Sequence, residues 1–336
     1  MDMVALALAS PRGRFFAANV AYKCSNDDSA YCRPIAPEHV RDVVRAVDIR
    51  AVAKLSEWDL LDALSLATDF ARYWQPPDEE DVLFADPEVI EALRPVIAAA
   101  LDSPHARWWV EPVDLENQRY VLHPYSIDQW PESTAPYRPS EDHLKLWLER
   151  ALQTEARFRQ DRVDRPNNTM GGEWWSTPAG GTLSTSRSRD GLGALELMLE
   201  EDSSGCGEAR VWPVQVHGTP RVYEIANPTD WASLVDSYPF AVPESRRSVW
   251  LSTTGERHDW FIPDWLAVAE DYDAVHLSIY GYLTTPGLAI PLSHNPRATV
   301  LAGWNPDATW WLNNAVITAE DEPTLWRRSD EGWRKT

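Results

Sequence analysis

"GLGALELMLEEDSSGCGEARVWPVQV", residues 191–216, is the stretch on which the reading of the C-terminal half turns. With a period of two, Leu195, Leu197 and Leu199 face one side of a strand, and Glu196, Met198 and Glu200 face the other. Residues 201–208 then make a turn, and 209–216 return as a second strand. With a helical period, Leu192, Leu195 and Leu199 line one face and Glu196 lies beside it. The serine–glycine cluster after residue 202 and the β-rich run "VWPVQV" favour the hairpin. The helix stays open as the alternative.

Upstream the period changes. "PEHVRDVVRAV" (37–47) sets Val40, Val43, Val44 and Val47 at helical spacing. "SEWDLLDALSLATDFARYW" (56–74) opens on Ser56 as a cap and carries Leu60, Leu61, Leu64 and Ala67 in one stripe. "DPEVIEALRPVIAAALDSP" (86–104) starts a further helix at Asp86-Pro87, with a bend expected near Pro95. Met3–Ala9 reads as a buried strand or a helical turn. Residues 116–125 predict a strand carrying Arg119, and 141–162 a long charged helix whose Leu144, Trp147, Leu148, Ala151 and Leu152 face inward.

Downstream, "PRVYEI" (220–225) predicts a strand and "NPTDWASLVDSYP" (227–239) a helix capped at Asn227 or Thr229. A second helix follows at "PDWLAVAEDY" (263–272), and "DAVHLSIYGYL" (273–283) and "ATVLAGW" (298–304) predict strands. Strands and helices mixed without a βαβ rhythm give an α+β fold. A helical unit, 1–110, packs on a mixed, mainly antiparallel unit, 111–336, as one globule.

Composition narrows the function classes. A chain of 336 residues with a formal charge of −21 repels phosphate backbones, which argues against nucleic-acid binding. Cys24, Cys32 and Cys206 form no paired framework and no metal-ligand spacing, although a Cys24–Cys32 bridge is conceivable. Isolated thiols, no full secretory leader and no apolar run of about 20 residues together predict a cytoplasmic protein with no membrane span. The 18 tryptophans are unusual. They serve either as core fillers or as stacking walls of a ligand cleft.

Phosphate-loop, dinucleotide-binding, zinc-protease and nucleophile-elbow motifs are all absent from the sequence. His276 near Asp271 or Asp273 lacks a second histidine at ligand spacing, so no metal is expected.

Residues 171–201 resemble the central segment of the RES-type branch of the ADP-ribosyltransferase superfamily. The resemblance runs through Gly171-Gly172-Glu173-Trp174, Leu183-Ser184 and Ala194-Leu195-Glu196. "DAVHLS" with Ser278, and the turn at Asn305-Pro306, are similar to that family's late serine strand and closing turn. Ser184-Thr185-Ser186 also resembles the serine–threonine–serine strand of the arginine-specific toxin branch. Glu173 stands where the RES family has arginine, and no glutamate-x-glutamate follows the serines.

The resemblance implies an enzyme that uses NAD as substrate and cleaves its nicotinamide–ribose bond. Glu196 would then be the catalytic carboxylate that stabilises an oxocarbenium-like transition state. Arg119 would clamp the pyrophosphate, Ser184, Ser186 and Ser278 would orient ribose or nicotinamide, and Tyr280 would stack. Two other classes fit the same residues: a non-enzymatic, acidic, Trp-rich binding protein, and a tailoring enzyme of small-molecule or peptide biosynthesis.

Overall fold

A computed structural model describes residues 2–25, 36–124, 136, 138–165, 171–178, 180–203, 205–329 and 332–336. Cys32 lies outside them, and Cys24 and Cys206 are free thiols. The N-terminal third is helical: α1 (Met3–Ala9), α2 (Pro11–Cys24), α3 (Pro37–Ala46), α4 (Ile49–Val52), α5 (Glu57–Asp69), α6 (Glu79–Phe84) and α7 (Pro87–Leu101), closed by a 3-10 turn at Pro104–Val110. Local chemistry sets these limits. Ser56 and Asp59 form a reciprocal capping box at the start of α5, and Asp86 accepts from the amides of Glu88 and Val89 ahead of Pro87.

After residue 110 the chain alternates. In order come β1 (Gln118–Leu122), α8 (His143–Asp164), β2 (Leu183–Arg189), β3 (Gly193–Ala194), a 3-10 turn at Leu195–Leu197, β4 (Glu208–Val216) and β5 (Val222–Ile225). Then follow α9 (Pro228–Ser237), β6 (Pro239–Ala241), α10 (Arg247–Thr254), β7 (Asp259–Pro263), α11 (Trp265–Asp271), β8 (Ala274–Leu277) and α12 (Ile279–Thr284). The chain ends with β9 (Ile290–Pro291), β10 (Arg297–Thr299), β11 (Ala308–Trp311), β12 (Ile317–Ala319), β13 (Thr324–Ser329) and β14 (Gly332–Lys335).

The main sheet runs β14-β13-β4-β1-β2-β11-β8-β5, antiparallel except for the parallel β5–β8 pair. A smaller sheet runs β6-β7-β10-β9. The architecture is α+β, as the sequence predicts.

One apolar core joins the helical third to the sheet. It contains Phe16, Leu60, Leu64 and Ile97 from the first third and Trp250, Leu277, Tyr282 and Trp304 from the rest. Helix α2 is its axis, packed against α5, α7 and α12. Gly13 permits the last of these contacts, because a Cβ there would lie 2.8 Å from the carbonyl oxygen of Leu283. Trp109, Trp212, Trp231, Trp250, Trp260, Trp265, Trp304 and Trp311 are all fully buried. Replacing any one with alanine should cost about 3–5 kcal/mol. The tryptophan surplus therefore serves mostly as core. Among the described residues no helix is long and apolar enough to cross a membrane.

Several expectations change. Residues 195–200 form no strand, and the helical alternative survives only as one 3-10 turn at Leu195–Leu197, because side chains from elsewhere take the amides on either side of that turn's own bonds. Glu196 N–H donates to Ser186 Oγ, Met198 and Leu199 N–H donate to Leu195 O, and Glu201 N–H donates to Asn305 Oδ1. Strand 298–304 shrinks to β10 for the same reason. Ala302 N–H goes to Ser176 Oγ, and Gly303 and Trp304 N–H go to the carboxylate of Glu201. The strand expected over 273–283 stops at Leu277, where Ser278 accepts from Gly281 N–H and starts α12. On α8, Leu152 is exposed instead of facing inward.

Candidate functional site

Between α5 and the β13–β14 hairpin lies a groove of about 120 Å³, closed at one end by the segment after residue 196. Trp58 and Trp333 are its aromatic walls, His123 and Glu200 its partly buried polar groups, and Asp62 and Arg328 lie at its edges. Gly332 holds the walls close. It sits at φ +101, and a Cβ there would run into the Trp58 indole. An ion pair from Arg189 to Glu57 ties α5 to β2 at 2.7 Å, and Lys23 holds Asp62 at 2.6 Å.

His123 follows the last residue of β1. Neither ring nitrogen has a partner at hydrogen-bond geometry; Glu200 Oε2 is 3.8 Å from Nε2. Burial pushes the imidazole below its ordinary value, against a pull from the Glu208 backbone. Glu200 moves the opposite way. Burial, followed by the charges of Asp69 and Asp202, raises it to about 7. Near neutrality the groove therefore holds a neutral histidine beside a carboxyl that is close to half protonated. Opposite shifts on adjacent groups are how a site separates an acid from a base.

Behind this pair lies Glu196. Its Oε2 is shut off from solvent without a partner, and burial, then the charge of Glu200, raises it to about 8 against the Asn305 amide. Asn305 also accepts from Glu201 N–H. Glu201 is raised to about 8 by burial, opposed by Tyr282, Arg12 and the Gly303 and Trp304 amides. A row of carboxyls thus runs inward from the groove, from the reachable Glu200 to the enclosed Glu196 and Glu201.

The residues read from the sequence divide into two sets. Glu196 and Ser186 meet through a 3.0 Å hydrogen bond, and Asn305 joins Glu196. Arg119 pairs with Ser186 in the β1–β2 register, so both side chains stand on one face of the sheet. The Arg119 guanidinium, however, donates to Gln118 O at 2.8 Å and does not line the groove. Ser184 lies farther along β2, opposite Trp310.

Ser278 and Tyr280 lie apart from this set. Ser278 caps α12, and the Tyr280 hydroxyl donates to Met3 O at 2.9 Å. Nothing in the sequence marks Glu200 and His123 as a pair. Glu200 carried one signal, its spacing of four from Glu196, while a lone histidine ending a strand carries none.

A second buried centre sits in the sheet. His276 Nδ1–H donates to Glu224 at 2.6 Å and Nε2–H faces Asp307 at 3.3 Å. Arg187 Nε–H is 2.8 Å from both carboxylate oxygens of Asp307. Burial alone would lower His276; the hydrogen bonds to Asp307 and Glu224 outweigh it and raise the ring to about 9. Two cations face two anions there, and every partner is occupied. Among the described residues no group of three or more His, Cys, Asp or Glu side chains is placed to hold a metal ion.

Comparisons with models of protein families, with curated proteins and with solved structures gave no match for this chain.

Proposed function

We propose that the groove is an acid–base site that cleaves a glycosidic bond in a small, ring-bearing substrate. The observation that carries this reading is the His123–Glu200 pair, oppositely shifted and 3.8 Å apart between two tryptophans. The tryptophan faces stack on a sugar or base ring, and Arg328 at the edge offers a fork to a phosphate. The volume suits one ring-sized group, which would enter as the end of a longer substrate. His123 takes a proton from the attacking water, and Glu200 faces the anomeric centre.

NAD is the first substrate to try. Its warrant is the resemblance around Glu196 together with the meeting of Glu196, Ser186 and Asn305. In that case nicotinamide leaves neutral and needs no acid. Glu200 then acts as a carboxylate on the oxocarbenium ion, with Glu196 behind it as a neutral hydrogen-bond donor. Turnover should rise as pH increases through about 7, the value at which Glu200 ionises. An oxygen leaving group would need Glu200 protonated, and turnover would fall through the same pH.

The test is nicotinamide release from NAD, and nitrophenol release from aryl glycosides, across that pH range. The expected result is turnover whose pH limb near 7 disappears in Glu200→Gln. No turnover of any glycosidic substrate would reject the enzyme reading. Binding without turnover in a thermal-shift screen would favour the binding-protein class.

A further inference from the structure

Away from the groove, α8, α10 and the start of β7 border an open cavity of about 310 Å³. Arg162, Arg247 and Arg257 line it, together with Glu244 and Asp259. Leu251, Pro243 and an edge of the buried Trp260 form its apolar wall. Three guanidiniums in one cavity are unexpected in a chain with 52 acidic and 31 basic residues.

The pairing is incomplete. Arg162 is committed to Glu244, which Arg159 also approaches at 4.0 Å. Arg247 and Arg257 are exposed and have no hydrogen-bonded or ion-pair partner among the described residues. His258 also lines the cavity, but its ring is already engaged, with Nδ1 on Pro296 O and Nε2 on Glu256 at 2.8 Å. Three guanidiniums against the two lining carboxylates leave one positive charge uncompensated. Burial, then the neighbouring charge of Arg247, holds Arg162 below its ordinary value, against a pull from Glu155.

We propose that this cavity binds a small organic anion: one oxyanion group carried on an apolar ring or chain. The free forks of Arg247 and Arg257 supply bidentate donors for phosphate or carboxylate oxygens. The leucine, proline and tryptophan wall takes the apolar body, and the volume is at the lower end for small-molecule sites. One anionic group neutralises the residual charge. A second would meet Glu244 and Asp259.

Calorimetric titration of the full chain with phenyl phosphate, benzoate, inorganic phosphate and phenol tests the proposal. Phenyl phosphate and benzoate are expected to bind at one site, and their ranking tells phosphate from carboxylate. Inorganic phosphate should bind at least about tenfold more weakly, phenol should not saturate, and added salt should weaken the anions. The double variant Arg247→Gln/Arg257→Gln should lose at least about tenfold in affinity, the equivalent of one charge-assisted bond. Its melting temperature should stay unchanged, because both side chains are exposed. No saturable binding of any anion, equal binding of phenol, or full affinity in the double variant would overturn it.

Discussion

His276 and His123 both sit beside a glutamate in the interior, yet they are opposite in character. His276 has an anion on each nitrogen, its anion Asp307 is gripped in turn by Arg187, and the ring is protonated up to about 9. His123 has no closed hydrogen bond, its glutamate stands 3.8 Å off, and burial drives the two toward their neutral forms. A saturated, charge-balanced histidine holds strands together. An unsaturated one beside a carboxyl near neutrality is poised to exchange a proton with something that enters. Burial is common to both, so it is the count of satisfied partners that separates structure from chemistry.

The most damaging way to break the comparison is Asp307→Asn. Asparagine tolerates the φ of +58 at this position, so the change removes charge and leaves backbone shape. Arg187 and His276 would then be buried cations short of an anion, at a cost of about 3–5 kcal/mol. Urea unfolding measures it, and a loss below about 1 kcal/mol would show that the network is not what stabilises the sheet. The pH sign is fixed as well. The folded value of His276, about 9, lies above its ordinary 6.5. Its contribution is therefore complete below about 6.5 and disappears as pH rises through about 9.

Glu200→Gln probes the other centre. Removal of a general acid or of a transition-state carboxylate should lower kcat about 100-fold or more, with KM little changed. The fold should survive, since glutamine keeps the volume and the Glu200 side chain is only partly buried. Loss of stability equal to that of Asp307→Asn would put both histidines in the same structural class.

How much of this could be read from the chain follows from the range of the interactions involved. Helix starts were legible because Ser56, Asp86 and Asn227 cap through neighbours three residues away or fewer. Strand β4 is marked by its own β-rich run, Val211–Val216. The segment 195–201 was not legible, because the amides of Glu196 and Glu201 on either side of its short turn bond to Ser186 and Asn305, outside the segment. The groove unites residues 58, 123, 200 and 333, and nothing local to any one of them announces the others. Glu196 was legible as a carboxyl among leucines, whereas its position behind Glu200 depends on the tertiary fold.

A subtler contrast lies in the pH dependence of stability at Glu196. Its folded value, about 8, lies above the ordinary 4.5, so the folded chain keeps a proton that the unfolded chain releases. Stability is greatest below about 4.5 and falls as pH rises through about 8. Glu196→Gln removes that dependence. The variant should match the native chain at pH 5 and exceed it by about 1–2 kcal/mol at pH 9, where the native carboxylate is ionised without a full set of partners. Parallel melting curves at the two pH values check this; equal differences at both would mean that Glu196 is solvated.

The smallest effect is expected where the sheet network reaches the surface. Glu111 Oε2 approaches Arg187 Nη1 at 3.7 Å, but the glutamate side chain is 60 % exposed. Water screens such a pair, and Arg187 already has Asp307, the carbonyl of Pro112 at 3.0 Å and the face of Trp108 at 5.0 Å. Glu111→Ala should therefore change stability by less than about 0.5 kcal/mol. Urea unfolding of this variant beside Asp307→Asn sets the two anions of one arginine against each other. If both losses were alike, Arg187 would be sharing its charge with solvent, and His276 could no longer be called saturated. If only the inner one is large, the network ends at Asp307, and the partner count that distinguishes His276 from His123 stands.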